Sequence, residues 1–266
     1  MQYKLPIRKK DSHKGECGKV LVVAGNSRYY GAPILAALGA ELSGTDLVSL
    51  VLPLAHIETA KKYSLNFFLH TFKKDKLTLE DVDLILNLAK ENQSLVIGPG
   101  LGGDAETQEA ILEILSNSSI PTVIDAQALF PKILEIPQKE KWVVTPHKQE
   151  FCRLFNSDAT VANICSMSRK YKLHMVVKGH VDIVSDSRGN IVENKTGCPE
   201  MRVGGTGDVL SGVIGSWVAQ GLSLYDASNS ALFYYCLSAE DLQKTSRCFS
   251  AYDLIKFFPL FMSKIR

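Results

Sequence analysis

Short apolar runs separated by longer helical patterns set the fold class of this chain. The first two runs, residues 20–24 and 46–52, flank a helical pattern over residues 32–44. Further strand candidates are residues 94–98, 121–125, 142–145, 175–179 and 182–186, with helical patterns near 79–91, 104–117 and 160–172. Strands that are apolar throughout are typical of a parallel sheet covered by helices on both faces. We therefore expect a three-layer α/β/α fold with a mostly parallel central sheet.

The last third of the chain departs from this alternation. Residues 186–190, DSRGN, lie between DIVS and IVEN, which predicts a hairpin turn and an antiparallel strand late in the sheet. The remaining pattern is helical over residues 207–220 and 224–244 and again after Ser250. With 266 residues, 45% of them hydrophobic, the chain can build one large core. We expect a single domain over residues 1–266.

Composition excludes several classes of partner. The 30 Lys and Arg residues nearly balance 28 Asp and Glu residues, so we expect no nucleic-acid partner. No stretch reaches the roughly 18 apolar residues of a membrane span, and the first residues do not form a signal peptide. The six cysteines are scattered without a CxxC pair, which predicts reduced thiols. These features favour a cytoplasmic protein with no membrane partner.

Glycine-rich clusters follow several of the predicted strands. They are AGN at 24–26, GPGLGG at 98–103 and, before the last helical block, VGGTGDVLSG at 203–212. In a parallel sheet such positions are carboxyl ends of strands, where ligands bind. GPGLGG alone is equally consistent with a purely geometric turn. GGTGD is a stronger signal, because its glycines free the backbone at a helix N-terminus that suits a phosphate.

Three polar segments at these strand ends supply candidate functional groups. Asp208 falls in the first turn of the helix after GGTGD, where it is either a dipole partner or a base for a substrate hydroxyl. In TPHKQE, Glu150 could hold a metal-bound water, and His147 either donates to a substrate or caps a helix. Asp125 at the end of VID either contacts a ligand or caps the next helix.

Six segments, in the order in which they occur, resemble the ADP- or ATP-dependent NAD(P)H-hydrate dehydratases, a family of the ribokinase-like superfamily. They are HKGECGKVLVVAGNSRYYGAPILAALGAELSGTDLV, GPGLG, DAQAL, TPHKQEF, VVKGHVD and VGGTGDVLSGVIGSWVAQG. GGTGD by itself would indicate only the superfamily, so the combination carries the resemblance. It covers nearly the whole chain and implies a ribokinase-like fold. It also implies a repair lyase that uses ADP or ATP to convert the S epimer of hydrated NADH or NADPH back to the normal cofactor.

The resemblance also implies the roles of individual residues. Asp208 would be the catalytic base, and the backbone of Gly205, Thr206 and Gly207 would receive the transferred phosphoryl group. The hydrated dinucleotide would contact Ala32, Gly102, His147 and Asp208. The adenine nucleotide would contact Gly207 and the segment Lys178, Gly179, His180, Val181 and Asp182. Mg²⁺ would bridge phosphate oxygens, with Glu150 as an indirect ligand through water.

The sequence departs from the family pattern at two places. Gln127 stands where the family often has a carboxylate, and AGN stands where it often has GGS. Many relatives also carry an N-terminal epimerase domain, and here the dehydratase pattern starts near His13. We therefore expect a separate epimerase chain as a functional partner. Relatives also predict a homo-oligomer, for which the aromatic segment 252–262 could provide an interface, although core packing of that segment is the simpler explanation.

Two alternative functions share parts of this pattern. A small-molecule kinase of the same superfamily, acting on hydroxyethylthiazole or hydroxymethylpyrimidine, would have the same GTGD base and nucleotide site. TPHKQEF and GPGLG favour the dehydratase over it. A nucleotide-binding regulatory protein that has lost its chemistry would have no need of Asp208.

Overall fold

A nine-stranded sheet forms the centre of the computed structural model, which describes residues 3–137 and 139–265. Its strands are β1 (Lys19–Val23), β2 (Leu47–Leu52), β3 (Phe67–Thr71), β4 (Ser94–Ile97), β5 (Thr122–Ile124), β6 (Trp142–Val144), β7 (His174–Val177), β8 (Asp182–Ser185) and β9 (Ile191–Asn194). Their order across the sheet is β3-β2-β1-β4-β5-β6-β7-β8-β9. Strands β1 to β7 pair in parallel, which confirms the predicted fold class.

Helices cover the sheet within the described residues. They are α1 (Gly31–Glu41), α2 (Ile57–Ala60), α3 (Val82–Glu91), α4 (Ala105–Asn117), α5 (Lys148–Phe155), α6 (Val161–Tyr171), α7 (Thr206–Ala219), α8 (Leu224–Gln243) and α9 (Ala251–Met262). The three helices predicted for the last third of the chain match α7, α8 and α9 to within two residues. Within the described part of the chain, no helix has the length and apolar content to cross a membrane. All six cysteines are free thiols.

The late antiparallel strands confirm the predicted hairpin. Strand β8 pairs antiparallel with both β7 and β9. The turn is held by Asp186, whose Oδ1 accepts hydrogen bonds of 2.9 Å from the backbone amides of Arg188 and Asn190. Edge strand β3 was not predicted, because its residues are only partly buried and lack a continuous apolar run.

Strands β1, β2 and β4 to β7 each contribute side chains to two separate cores. In β1, Val20 and Val22 face the core formed with α1, α7, α8 and α9. The intervening Leu21 and Val23 face the other core, formed with α3 to α6. This alternation explains why the strands are apolar throughout.

Close packing of α1 against α7 fixes where α7 begins. A Cβ at Gly212 would run into the carbonyl oxygen of Ala36 in α1, so only glycine allows the two backbones this close. The helical pair thereby places the first turn of α7, with Asp208, at the carboxyl ends of the parallel strands. Parallel α/β sheets bind their ligands at this edge.

Candidate functional site

The N-terminus of α7 presents backbone amides without a side-chain cap. Gly205 occupies the N-cap position with φ +97°, a left-handed conformation that favours glycine. The hydroxyl of Thr206 donates to the carbonyl oxygens of Met201 at 3.0 Å and Val203 at 3.2 Å. Thr206 therefore fastens the preceding loop and leaves the first amides of the helix to a ligand. A helix N-terminus with free amides carries the positive end of the helix dipole and suits a phosphate.

Three neighbouring strand ends bring a cation and two polar side chains together beside this helix. Lys178 after β7 donates from Nζ to Asp125 Oδ1 at 2.9 Å, and Asp125 follows β5. The hydroxyl of Thr145, after the intervening β6, donates to the same oxygen at 2.7 Å. A Cβ placed on Gly207 would lie 3.0 Å from Lys178 Nζ, so the ammonium group faces the start of α7. The Asp125 side chain makes no capping hydrogen bond to the helical turn that follows it, so the predicted capping role is wrong and the carboxylate binds Lys178 instead.

Lys178 keeps its charge in this setting. Burial works against that charge, but neighbouring carboxylates outweigh it and raise the pKa of Lys178 above its ordinary value. Those carboxylates belong to Asp125, Glu150 and Asp208. The ammonium group is therefore a fixed positive charge at the helix N-terminus, and it is paired with a buried carboxylate.

Asp208 is poised to take up a proton near neutral pH. Burial raises the pKa of its carboxyl group to about 7, and the negative charges of Asp125 and Glu150 add to the effect while Lys178 opposes it. A base whose pKa lies near the working pH combines ionisation with useful basicity. The environment of Asp208 therefore fits general-base chemistry better than a simple dipole role.

Glu150 and His147 form the start of α5. The Nδ1 atom of His147 accepts from the Glu150 amide at 3.1 Å, and Glu150 Oε2 accepts from the His147 amide at 2.8 Å. The backbone amide of Lys178 donates to Pro146 O at 2.8 Å, which ties this helix start to the end of β7. His147 is thus a capping residue, as one of its two predicted roles required.

The donor set around Glu150 suits a metal that takes most of its ligands from phosphate. Among residues 3–137 and 139–265, no group of three or more His, Cys, Asp or Glu side chains could hold a metal ion. Glu150 is mostly buried, and its Oε1 is free of the capping bond that occupies Oε2. One carboxylate oxygen near a phosphate site fits a Mg²⁺ ion that keeps several waters.

A cavity of about 240 Å³, here called the Lys178 cavity, lies on one side of the α7 N-terminus. Lys178, Thr206 and Gly207 line its polar side. Its lining also includes Gly179, His180, Asp182, Lys195, Thr196, Gly197, Cys198, Pro199, Met201, Arg202, Leu210, Leu232, Tyr235 and Cys236. The cavity therefore joins the first turn of α7 to a wall of mixed polar and apolar residues.

A second cavity of about 530 Å³, here called the Tyr252 cavity, lies on the other side of the same turn. Gly204, Gly205 and Asp208 form its inner end. Its walls are Arg28, Tyr29, Tyr30, Gly31, Ala32, Ile34, Leu35, Leu38, Tyr63 and Tyr252. Tyr63 and Tyr252 meet edge to face with ring centroids 5.4 Å apart, and Arg28 lies 5.7 Å from the centroid of the Tyr29 ring. Exposed aromatic rings around a polar inner end suit a ligand with planar bases.

The glycine loop after β4 borders the Tyr252 cavity. A Cβ on Gly100 would lie 3.1 Å from the side chains of both Ala32 and Tyr29. The amide of Gly100 donates to Gln127 Oε1 at 2.9 Å, so Gln127 holds the loop through the backbone. A Cβ on Gly102 would lie 3.0 Å from Asn26 Nδ2, which joins this loop to AGN.

The predicted site residues are only partly gathered at the two cavities. Lys178, Gly179, His180, Asp182, Thr206 and Gly207 line the Lys178 cavity, and Ala32, Gly205 and Asp208 line the Tyr252 cavity. Four of the predicted site residues lie in the lining of neither cavity, as far as the described residues show. They are Gly102, His147, Glu150 and Val181.

Several lining residues were missed by sequence reasoning. They are Arg28, the tyrosines 29, 30, 63 and 252, and on the other side residues 195–199, 201 and 202 with Leu232 and Tyr235. The tyrosine pair after AGN was the one signal available, because two adjacent exposed aromatics beside a glycine loop are typical of a binding edge.

This combination of fold and site defines a ribokinase-like protein. The chain is similar to a ribokinase-like superfamily protein from Enterococcus faecalis V583, with a TM-score of 0.88 and 26% sequence identity over 98% of this chain and 92% of that one. A family model described as NAD(P)H-hydrate dehydratase matches residues 20–259. The chain belongs to the NAD(P)H-hydrate dehydratase family, which confirms the resemblance found in its motifs.

The chain is similar to two relatives of different length. It is 33% identical over 250 residues to an ADP-dependent (S)-NAD(P)H-hydrate dehydratase of Nitrosopumilus maritimus, covering 90% of this chain and 86% of the relative. It is 30% identical over 272 residues to the bifunctional NAD(P)H-hydrate repair enzyme Nnr of Methanothermobacter thermautotrophicus, covering 97% of this chain. The chain spans about half, 52%, of the length of that bifunctional relative.

Proposed function

We propose that this protein uses ADP or ATP to dehydrate the S epimer of hydrated NADH or NADPH. The observation that carries the proposal is the position of Asp208 in the first turn of α7, with a cavity on each side of that turn. The adenine nucleotide would occupy the Lys178 cavity, and the hydrated dinucleotide would occupy the Tyr252 cavity. The family match and the name of the Nitrosopumilus maritimus relative support this assignment of substrates.

The first step joins the two ligands at the α7 N-terminus. Asp208 takes the proton of the ring hydroxyl as that oxygen attacks the terminal phosphorus of the nucleotide. The bond from that phosphorus to the bridging oxygen breaks, and its electron pair leaves with ADP when ATP is used, or with AMP when ADP is used. The product is a phosphate ester on the nicotinamide ring.

The second step restores the double bond of the ring. The carbon–oxygen bond of the ester breaks and inorganic phosphate leaves with the electron pair. The neighbouring ring carbon loses a proton, and its electrons form the carbon–carbon double bond. Phosphorylation is needed because hydroxide is a poor leaving group and phosphate is a good one. The net change is hydrated cofactor plus nucleotide to reduced cofactor, inorganic phosphate, the shortened nucleotide and a proton.

The protein stabilises charge on the transferred phosphoryl group. Lys178 supplies a fixed positive charge, and the amides of Thr206, Gly207 and Asp208, which precede the first intrahelical bond at Val209, supply hydrogen-bond donors and the positive end of the helix dipole. Bound Mg²⁺ would neutralise charge on the phosphate oxygens. Glu150 would hold it through water, and its carboxylate stays in place because the same residue caps α5. The arrangement favours positioning and electrostatics over covalent catalysis.

The alternative function is that of a small-molecule kinase, which would carry out the first step alone. The match of the family model and the 33% identity to a dehydratase favour the two-step reaction.

We further propose that the protein forms a homo-oligomer. We also propose that an epimerase supplies its substrate by converting the R hydrate to the S epimer.

The decisive experiment incubates the protein with hydrated NADH or hydrated NADPH plus Mg²⁺ and either ADP or ATP. We expect recovery of the reduced nicotinamide absorbance with one inorganic phosphate released for each cofactor restored. Asp208→Asn should lower turnover at least about 100-fold while leaving nucleotide binding intact. Phosphorylation of hydroxyethylthiazole or hydroxymethylpyrimidine, without recovery of either cofactor, would instead identify a kinase.

A further inference from the structure

Arg28 is the one positively charged residue in the described lining of the Tyr252 cavity. Asp208 is the other charged residue of that lining, and the rest are tyrosines, glycines and aliphatic residues. Arg28 is exposed and Asp208 is partly buried, so the two charges lie at the open side and the inner end of the cavity. Within residues 3–137 and 139–265, Arg28 forms no ion pair. Its charge is therefore available to a ligand of the cavity.

Hydrogen bonds hold the loop that carries Arg28. The Oδ1 atom of Asn26 accepts from the backbone amides of Arg28 at 2.8 Å and Tyr29 at 3.1 Å. The backbone amide of Ser27 donates to the carbonyl oxygen of Asp75 at 2.8 Å. Asn26 belongs to AGN, where the sequence departs from the family pattern, and here it fixes the backbone at Arg28. The base of the arginine side chain is thus held at the rim of the cavity.

The ring of Tyr29 supports the Arg28 side chain. The guanidinium carbon of Arg28 lies 5.7 Å from the centroid of that ring, within the range of a cation–π contact. A contact with an aromatic ring does not supply an oxygen acceptor, so it leaves the guanidinium N–H donors available. A guanidinium group presents these donors as a planar fork that can bind two oxygens of one phosphate. The pair of Arg28 and Tyr29 therefore suits a phosphate at the open side of the cavity.

The two charges of the cavity determine which part of the hydrated dinucleotide meets Arg28. In the proposed reaction the ring hydroxyl must reach Asp208, and the ionised Asp208 carboxylate repels phosphate. The diphosphate joins the nicotinamide nucleoside to adenosine, so it is the first charged group along the ligand from the ring. It must therefore lie away from Asp208 and toward the open side, where Arg28 has the opposite charge.

We propose that the guanidinium group of Arg28 binds the diphosphate of the hydrated dinucleotide and so helps to place the nicotinamide ring at Asp208. The inference rests on the proposed function, since it takes the Tyr252 cavity as the site of the hydrated cofactor. The diphosphate is present in hydrated NADH and in hydrated NADPH. Arg28 is therefore a substrate-binding residue that serves both cofactors equally.

Two substitutions of Arg28 and one matched control test this role. Arg28→Ala removes the guanidinium group, and Arg28→Lys keeps the charge without the planar fork. Arg153→Ala is the control, because Arg153 is an exposed arginine of α5 outside the described linings of both cavities. Steady-state kinetics at saturating nucleotide gives kcat and KM for each hydrated cofactor. Titration calorimetry without nucleotide gives the dissociation constants in the absence of turnover.

Arg28→Ala should raise KM and the dissociation constant about 10-fold for both hydrated cofactors, the loss expected for a charge-assisted hydrogen bond. Arg28→Lys should raise them about 3-fold, because a point charge remains but the bidentate contact is lost. Both variants should keep the wild-type kcat and the wild-type KM for the nucleotide, since the contact is made equally in the ground state and the transition state. Arg153→Ala should leave every constant unchanged.

Equal KM values and equal dissociation constants in the wild type and Arg28→Ala would overturn the inference and leave the proposed function standing. An effect confined to hydrated NADPH would also overturn it, because Arg28 would then bind the 2′-phosphate that only this cofactor carries. A wild-type chain that restores neither hydrated cofactor with ADP or ATP would overturn the proposed function itself, and this inference with it. The wild-type assay therefore separates the two failures.

Discussion

Lys178 Nζ lies 2.9 Å from Asp125 Oδ1, and this contact joins the ends of β7 and β5 across the intervening strand β6. The Asp125 side chain is 1% exposed and that of Lys178 is 22% exposed. Removing one member of such a pair leaves the other charge buried without compensation. The pair therefore supports the sheet edge and at the same time holds the ammonium group against the start of α7.

Lys178→Met should destabilise the protein and abolish tight nucleotide binding. The uncompensated Asp125 carboxylate should lower the free energy of unfolding by about 3 kcal/mol, as in other broken buried pairs. Urea unfolding measures the first effect and titration with ADP measures the second. Adding Asp125→Asn to Lys178→Met should restore most of the stability, because no charge then remains, but it should leave nucleotide binding weak. Recovery of nucleotide binding in the double variant would show that Lys178 acts only through the fold.

The activity should fall as the pH drops below neutrality. Burial, with help from Asp125 and Glu150, raises the pKa of Asp208 to about 7, so the ionised base is lost below that pH. We expect kcat/KM for the hydrate to fall about tenfold per pH unit on the acid side. Glu150→Gln keeps an acceptor for the His147 amide but removes a negative charge, so its acid limb should move to lower pH. An unmoved limb in Glu150→Gln would contradict the electrostatic coupling of these two carboxylates.

The same pKa predicts that Asp208 lowers stability at neutral pH. The ordinary pKa of 3.8 applies in the unfolded chain, while the folded protein keeps the proton up to a pKa of about 7. Between these two pH values the native state binds more protons than the unfolded state, so the free energy of unfolding falls as the pH rises. The total fall is about 1.4 kcal/mol for each unit by which the two pKa values differ.

Asp208→Asn tests that sign directly. The variant cannot ionise, so it should be more stable than the wild type at pH 8 and of nearly equal stability at pH 4. Chemical unfolding at a series of pH values gives the comparison. Equal stability at pH 8 would mean that Asp208 is well solvated in the folded protein, and the assignment of a raised pKa would then be wrong.

Periodicity is sufficient to predict the layers of the fold, and the motifs predict a candidate site at the carboxyl ends of the strands. Apolar strands and the GGTGD turn are local signals, so the parallel strands and the N-terminus of α7 follow from the residues around them. The partly buried edge strand β3 has no such signal, because its pairing with β2 depends on the rest of the sheet.

The contacts inside the site depend on residues far apart in the chain. Lys178 binds Asp125, 53 positions earlier, and Tyr235 reaches the Lys178 cavity from α8. The Tyr252 cavity likewise combines residues around 30 with Tyr63 and Tyr252. Sequence spacing alone cannot show such pairs, because they arise from the order of strands and the packing of α7 to α9. The pattern at the strand ends predicts where the candidate site lies, and tertiary packing determines which side chains meet there.

Gln127 offers the last prediction, on the loop that borders the Tyr252 cavity. Its Oε1 accepts from the Gly100 amide at 2.9 Å, and a Cβ on Gly100 would lie 3.1 Å from the side chains of Ala32 and Tyr29. Gln127→Ala removes the acceptor and should raise KM for the hydrated cofactor about 5-fold, the value of one hydrogen bond, with KM for the nucleotide unchanged. Gln127→Glu keeps an acceptor at the same reach and should retain a KM near that of the wild type. Steady-state kinetics with each ligand varied in turn measures both constants. If Gln127→Ala raised KM for the nucleotide as well, the loop would serve both cavities and its assignment to the hydrate alone would be wrong.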